Sequence, residues 1–313
     1  MQKRCAASTI VLIAALIPST FARAQTPQRG QSGAVKDQSV DESSPLHIDG
    51  WGRIESQAPS TQTPAPAPRH DMSGIWEPAN GWRDGVQASG AKANPSDGKH
   101  TLPMTPLGQQ MFKANKPTQG FTSVGARDTN DPANLYCDRL GFPREDLYNL
   151  RGLQIVQTER ETLMLYEYDQ AWRTIWTDGR EFPKDWVDSL EPRWYGYSIG
   201  KWVDDTTLVI ETVGTDERTW IDNSGRPHSD ELRVEERFHR VNHDILELTV
   251  TITDPKIYTK PWLALDKFPM RLQPADFDIR EMICSPSELA DYLKTVGNPE
   301  GGPTGEAYPF RGR

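Results

Sequence analysis

From about residue 150 to residue 275 the chain alternates apolar and polar positions with a period of two, interrupted at short intervals by polar turns. Three stretches share one design: I155-V-Q-T-E-R-E-T-L-M-L165, K201-W-V-D-D-T-T-L-V-I210 and R240-V-N-H-D-I-L-E-L248. Each runs β-branched or aromatic residues into a short polar turn and back into alternating apolar residues, the signature of a β-hairpin. Farther on, Leu246, Leu248, Val250 and Ile252 fall on one face of a strand, and Glu247, Thr249, Thr251 and Thr253 on the other. In W194-Y-G-Y-S-I-G-K-W202 the small residues Gly196, Ser198 and Gly200 share a face, which permits tight curvature or leaves room for a ligand. L232-R-V-E-E-R-F-H-R-V241 fits a strand with Leu232, Val234 and Phe238 on one face; Val234, Phe238 and Val241 also recur at helical spacing. The N242-H-D turn and the β pattern after it favour the strand.

Two segments read as helices. In the first, Thr105 is the N-cap, Pro106 takes the first helical position, and Asn115-Lys116-Pro117 stops it. The second starts at Ser285, with Glu288 at capping-box spacing and Pro286 at N1, shows Leu289, Tyr292, Leu293 and Val296 on one face, and ends at Gly297. The pattern therefore predicts a mainly β protein, an antiparallel meander that closes into a lipocalin-like barrel or a curved sandwich, with two short helices.

The rest of the chain sets the context. Lys3 and Arg4 precede an apolar run through Ile17, and Ala22-Arg23-Ala24 offers a small-x-small site. This is the tripartite plan of a secretory signal, with cleavage expected after Ala24 and a periplasmic or secreted location. Residues 25–70 are poor in large apolar groups and contain the Pro/Ala/Thr/Gln tract from Gln57 to Pro68, which reads as a disordered linker or tethering arm. Residues 71–313 then form one β-rich domain. Removal of the leader takes Cys5 with it, and Cys137 and Cys284 remain, most simply as one disulfide in an oxidising compartment. The net charge of −9 argues against nucleic acid, whose binding depends on Lys and Arg neutralising phosphates, and against anionic membrane surfaces. No segment after the leader is apolar and long enough to insert as a membrane helix.

Candidate chemistry concentrates in two places. In T219-W-I-D-N-S-G-R-P-H-S-D-E-L232, His228 suits proton transfer, with Asp230 or Glu231 to orient it. The alternative is a histidine that only hydrogen-bonds its loop. On a helix, His228, Glu231, Glu235 and His239 would line one face like metal ligands; on a strand, the charged row is a solvated face or the lining of a cavity. In A171-W-R-T-I-W176, Arg173 stands between Trp172 and Trp176 and either holds an anionic or developing oxyanion group or pairs with a carboxylate in the core. Trp172, Trp176, Tyr195, Tyr197 and Trp220 are the aromatic candidates for substrate contact. No phosphate loop, nucleophile elbow, H-E-x-x-H or C-x-x-C motif is present, and no cofactor or metal is expected.

Five blocks carry a family likeness: the helix beginning at Met104, R173-T-I-W-T-D-G-R180, W194–W202, T219–L232 and D254-P-K-I-Y-T-K-P-W262. Together they resemble a family of exported β-rich proteins abundant in soil bacteria. The resemblance implies export and one shared β-rich domain, and it brings no reaction, cofactor or catalytic residue. The functional expectation is a small-molecule-handling β-barrel, a metal-independent lyase, isomerase or hydrolase working by acid–base chemistry on a partly apolar organic substrate. The alternatives are a non-catalytic periplasmic ligand-binding protein and a metal-binding protein built on His228 and its carboxylates.

Overall fold

The computed structural model describes residues 46–48, 50–51, 54–56, 63–79, 102–120, 122–147 and 152–295. The leader and most of the Pro-rich arm lie outside the described residues, as do Val296 and Gly297. Two three-residue strands, β1 (Leu46–Ile48) and β2 (Ile54–Ser56), pair with each other. The remaining nine strands are β3 (Gly74–Pro78), β4 (Leu153–Gln157), β5 (Glu161–Tyr166), β6 (Trp172–Trp176), β7 (Tyr197–Trp202), β8 (Thr207–Val213), β9 (Arg233–Arg240), β10 (Ile245–Thr253) and β11 (Trp262–Leu272). They close into one barrel, with β3 between β11 and β4 and the other neighbours in sequence order.

The expected mainly β barrel is present, and all three anticipated hairpins form: β4–β5, β7–β8 and β9–β10. Alternation decides which side chains enter. On β10, Leu246, Leu248, Val250 and Ile252 are buried while their neighbours are partly exposed. The 232–241 segment is the strand β9, because its cross-strand partners on β8 and β10 satisfy the whole backbone ladder. Gly200 is required by close packing, since a Cβ there would sit 2.9 Å from Ile175 Cγ2.

Two features differ from the expectation. The barrel is mixed rather than a pure meander, because β6 and β7 run parallel through the pairs Ile175↔Ser198 and Trp176↔Ile199. A parallel neighbour needs a long crossover, and the connection over 177–196 supplies it, carrying the short helix α4 (Trp186–Ser189). Five helices occur among the described residues instead of two. The predicted pair is there: α1 (Pro106–Ala114), capped by Thr105 Oγ1 accepting from Gly108 N at 3.1 Å, and α5 (Pro286–Thr295). The additional ones are α4, α2 (Pro132–Tyr136) and α3 (Arg144–Leu147), turns too short to leave a 3.6-residue periodicity. Together α1, α2 and α3 sit in the long excursion between β3 and β4, and α3 is buried along its whole length.

Cys137, at the end of α2, is bonded to Cys284, two residues before α5, across 147 residues of sequence. Closing a loop of that length removes about 5 kcal/mol of chain entropy from the unfolded state. Replacing both cysteines by serine should lower the unfolding free energy by several kcal/mol in urea titrations. Reductant should destabilise the wild type alone.

Candidate functional site

The polar groups gather at one end of the barrel interior. Arg173 projects inward from β6, and Glu236 projects inward from β9 between the buried Val234 and Phe238. The two form a bidentate pair, with Arg173 Nη1 donating to Glu236 Oε1 at 3.1 Å and Nη2 to Oε2 at 2.7 Å. Nη1 also donates to the Tyr166 hydroxyl of β5 at 2.9 Å, and Nη2 to Ser198 of β7 and Thr212 of β8 at 3.1 and 3.0 Å. The Phe142 ring lies 3.6 Å from the guanidinium carbon. Burial works against the charge of Arg173, but Glu236 more than offsets it and holds the guanidinium firmly protonated. Arg173 is therefore committed to protein partners and does not present its fork to a substrate anion. The core-pairing reading of this residue is the one that the structure bears out.

Over this pair sits α3, whose sequence Arg144-Glu145-Asp146-Leu147 is buried throughout. Arg144 is neutralised by a bidentate pair with Asp131, at 2.8 and 2.6 Å, and lies 5.5 Å from the Trp220 ring. Asp131 in turn caps α2 through Ala133 N, so this ion pair anchors α3 to α2. Glu145 and Asp146 have no such partner. Both oxygens of Asp146 and Oε2 of Glu145 are buried and make no close hydrogen bond among the described residues, although the Glu236 carboxylate and the Tyr166 hydroxyl lie near enough to act on Asp146. Burial, and next the nearby charge of Glu236, push the Asp146 carboxyl well above the usual carboxylate range. Burial, and next Asp169, do the same to Glu145. The Tyr195 hydroxyl is a third buried group without a partner, pushed up by burial and by Glu145. Among the residues acting on this cluster, Arg139, Tyr168 and Tyr195 are partly exposed and mark its solvent-facing side.

The open grooves lie elsewhere. One of about 400 Å³ runs outside the barrel between residues 180–186 and the outer faces of β7–β9. Another, of about 730 Å³, lies beside Arg240 and Arg271. Neither is lined by Glu145 or Asp146.

The other sequence candidates are dispersed. His228 is fully buried; its Nδ1 faces the Ser229 carbonyl at 3.1 Å and its Nε2 the Thr219 hydroxyl at 2.8 Å. A carbonyl only accepts, so Nδ1 carries the proton, and burial holds the ring below its ordinary pKa and neutral. Asp230 and Glu231 do not orient it, because both pair with Lys256, at 2.6 and 3.3 Å. The 219–231 loop is internal packing: Asp222 pairs with Arg226, Ser229 is held by Asp254, and Asn115 donates to the Gly225 carbonyl at 2.7 Å. Gly141 shows how tightly this loop abuts α3, since a Cβ there would be 2.2 Å from Thr219 Cγ2. The metal reading needed His228, Glu231 and Glu235 on one helix face, or converging with another strand such as that of Glu211. As a strand, β9 sends Glu235 outward, and no metal-like group of three His, Cys, Asp or Glu forms among the described residues.

Among the aromatic candidates, Trp172 is 63% exposed, Trp176 stacks under Arg180 at 3.7 Å, and Tyr197 donates to the Glu191 carbonyl at 3.0 Å. Only Tyr195 stands at the acid cluster itself, and Trp220 touches it through Arg144. Arg173 and His228 share no hydrogen-bond partner. Glu236, Glu145, Asp146 and Tyr166 were absent from the sequence candidates. Glu236 had a legible signal, a carboxylate in phase with Val234 and Phe238 on a buried face; the α3 acids had none.

No protein-family model matches the chain, and no curated protein or solved structure is detectably similar to it. The chemistry therefore has to be read from the side chains.

Breaking the central pair should be costly. Arg173→Met leaves Glu236 buried without its counter-charge and should lower the unfolding free energy by about 3–5 kcal/mol in urea titrations. His228 predicts a pH dependence of opposite character to that of the buried acids. The folded chain binds fewer protons there than the unfolded chain, so its contribution to stability is lost as pH falls below the unfolded value of about 6.5. His228→Asn should flatten that part of a stability-versus-pH curve.

Proposed function

We propose that the protein is an exported acid–base enzyme acting on a small organic molecule, with the neutral carboxyl of Asp146 as its proton donor. One observation carries the reading: a fully buried carboxyl with no ion-pair partner among the described residues, set within interaction range of the Tyr166 hydroxyl and of a second carboxylate already tied to an arginine. Buried acids whose environment keeps them protonated at neutral pH recur where protons are delivered.

The surroundings suit the step. Proton transfer breaks the O–H bond of Asp146 and leaves its electron pair on the carboxylate. The Arg173 guanidinium already acts on that carboxyl in the direction that favours its charge. Tyr166 accepts from Arg173, and its own hydroxyl, 3.8 Å from the weak acceptor Met164 Sδ, already acts on Asp146 in the direction that favours the new carboxylate. Glu145 and Tyr195 add two more groups to hold or relay protons. The apolar walls, Phe142 among them, suit the partly apolar substrate expected from the sequence. Export, and kinship with the exported soil-bacterial proteins, belong to this proposal and rest on the N-terminal pattern and the five sequence blocks.

Asp146→Asn tests the assignment, since it keeps size and hydrogen-bonding capacity without a transferable proton. Infrared spectroscopy of the free wild type at neutral pH should show a protonated-carboxyl band that weakens in the variant. The folded chain keeps protons that the unfolded chain releases above about pH 4, so stability from this group is present below that pH and falls as pH rises. The variant should lack its share of that fall. Native mass spectrometry of the purified chain should then identify a retained organic molecule. Turnover of that molecule should drop by 10²-fold or more in the variant with binding retained; wild-type binding without turnover would make the protein a carrier.

A further inference from the structure

The charges around Asp146 indicate what kind of molecule this end of the barrel takes. Among the described residues, four arginines stand in and around the polar interior, and each already has a carboxylate. Arg173 pairs with Glu236 at 2.7 Å, Arg144 with Asp131 at 2.6 Å, Arg139 with Asp169 at 2.6 Å and Arg280 with Glu167 at 2.8 Å. Glu145 and Asp146 are left over, two buried acids that form no ion pair among the described residues. In the free protein, protons balance them. Burying a charge without a counter-charge is very costly; among the described residues the site is short of positive charge, and an incoming cation can replace a proton there.

We propose that the molecule handled at this site carries a basic nitrogen, and that its ammonium group seats against Glu145 and Asp146 with the Tyr195 hydroxyl accepting one of its N–H protons. The inference rests on the acid–base reading of Asp146 and supplies its substrate class. The aromatic neighbours fit it. Tyr195 and Tyr166 border the acids, and two guanidinium groups at this end already lie against rings, Arg173 on Phe142 at 3.6 Å and Arg144 by Trp220 at 5.5 Å. An anion is disfavoured. It would meet Asp169, Glu236 and the two acids, and the half-exposed cation nearby, Arg139, is already bound to both the carboxylate and the carbonyl of Asp169. The net charge of −9 also favours the approach of cations.

The proton balance makes the inference measurable. Below the amine's own pKa the arriving species is the ammonium ion. Seating it ionises one of the two acids and releases about one proton to the buffer for each molecule bound. Over the range where the free acid stays protonated, affinity should rise roughly tenfold per pH unit. The groups facing the two acids are Arg139, Arg144, Asp169, Arg173, Glu236, Tyr166 and Tyr195, with Tyr168 beside Tyr195.

The experiment compares benzylamine, benzyl alcohol and benzoate, three probes with one apolar body and different charge, by calorimetric titration of the purified full chain. Titrations in buffers of different ionisation enthalpy give the protons released. The expected result is benzylamine binding with proton release and the stated pH dependence. Benzyl alcohol and benzoate should bind at least tenfold more weakly. The Glu145→Gln/Asp146→Asn double variant, which preserves shape and neutrality, should lose the amine preference while retaining the wild-type circular-dichroism spectrum. If that variant fails to fold, the proton count and pH dependence of the wild type alone decide. Equal or tighter binding of benzoate or benzyl alcohol, no benzylamine binding, binding without proton release, or an undiminished preference in a folded double variant would each overturn the inference. The infrared band of the free protein separates this failure from that of the acid–base reading. A band with no amine preference rejects the substrate class alone, whereas its absence rejects the neutral Asp146 on which both depend.

Discussion

A guanidinium in the interior of a small barrel needs a counter-charge, and the Arg173–Glu236 pair meets that need in a way that organises the surrounding sheet. The hydrogen bonds of Arg173 reach β5, β7, β8 and β9 from β6. The seam they cross is a short one, since β6 and β7 are joined in parallel by only two residue pairs. Nη2 reaches Ser198 and Thr212 on the far side of it, and those two hydroxyls lie 2.9 Å from each other. A hydrophobic pair of similar volume could fill the space, but it would not fix the register of β7 against β6 through directional bonds.

The same pair creates the chemical opportunity. With Glu236 committed to Arg173, burial and the Glu236 charge together push the nearby Asp146 carboxyl well above the usual carboxylate range. Asp146 is placed there by α3, which is itself fastened by the Arg144–Asp131 pair and by the close contact of Gly141 with Thr219. Two ion pairs therefore fasten the architecture, beside two buried acids that form no ion pair among the described residues.

The 219–231 loop illustrates the opposite outcome. It holds a histidine, an arginine and several carboxylates, the residue types from which acid–base sites are built, yet they satisfy one another. Asp222 takes Arg226, Asp254 takes Ser229, and both nitrogens of His228 have partners. The loop is buried between the segment after α1 and the barrel, so its polar groups had to be paired internally.

The sequence by itself determined the local geometry. Period-two alternation fixed the hairpins and the buried faces of β9 and β10, Thr105 and Pro106 started α1, and Cys137 and Cys284 made a pair. These are consequences of backbone periodicity, capping and residue chemistry, which act over a few positions. It also held the hint that Arg173 needed a core carboxylate, and Glu236 sat in phase with Val234 and Phe238 to supply it, 63 residues away. Only the tertiary structure decided that these two meet, that β6 and β7 run parallel, and that Arg144-Glu145-Asp146 turns inward rather than toward water. It also decided that His228 is sealed. Whether a charged side chain is a solvated surface group or a buried proton donor depends on what covers it, and here the cover comes from segments remote in the chain. Short-range pattern does not encode that burial, and the direction in which a buried carboxyl's pKa moves goes with it.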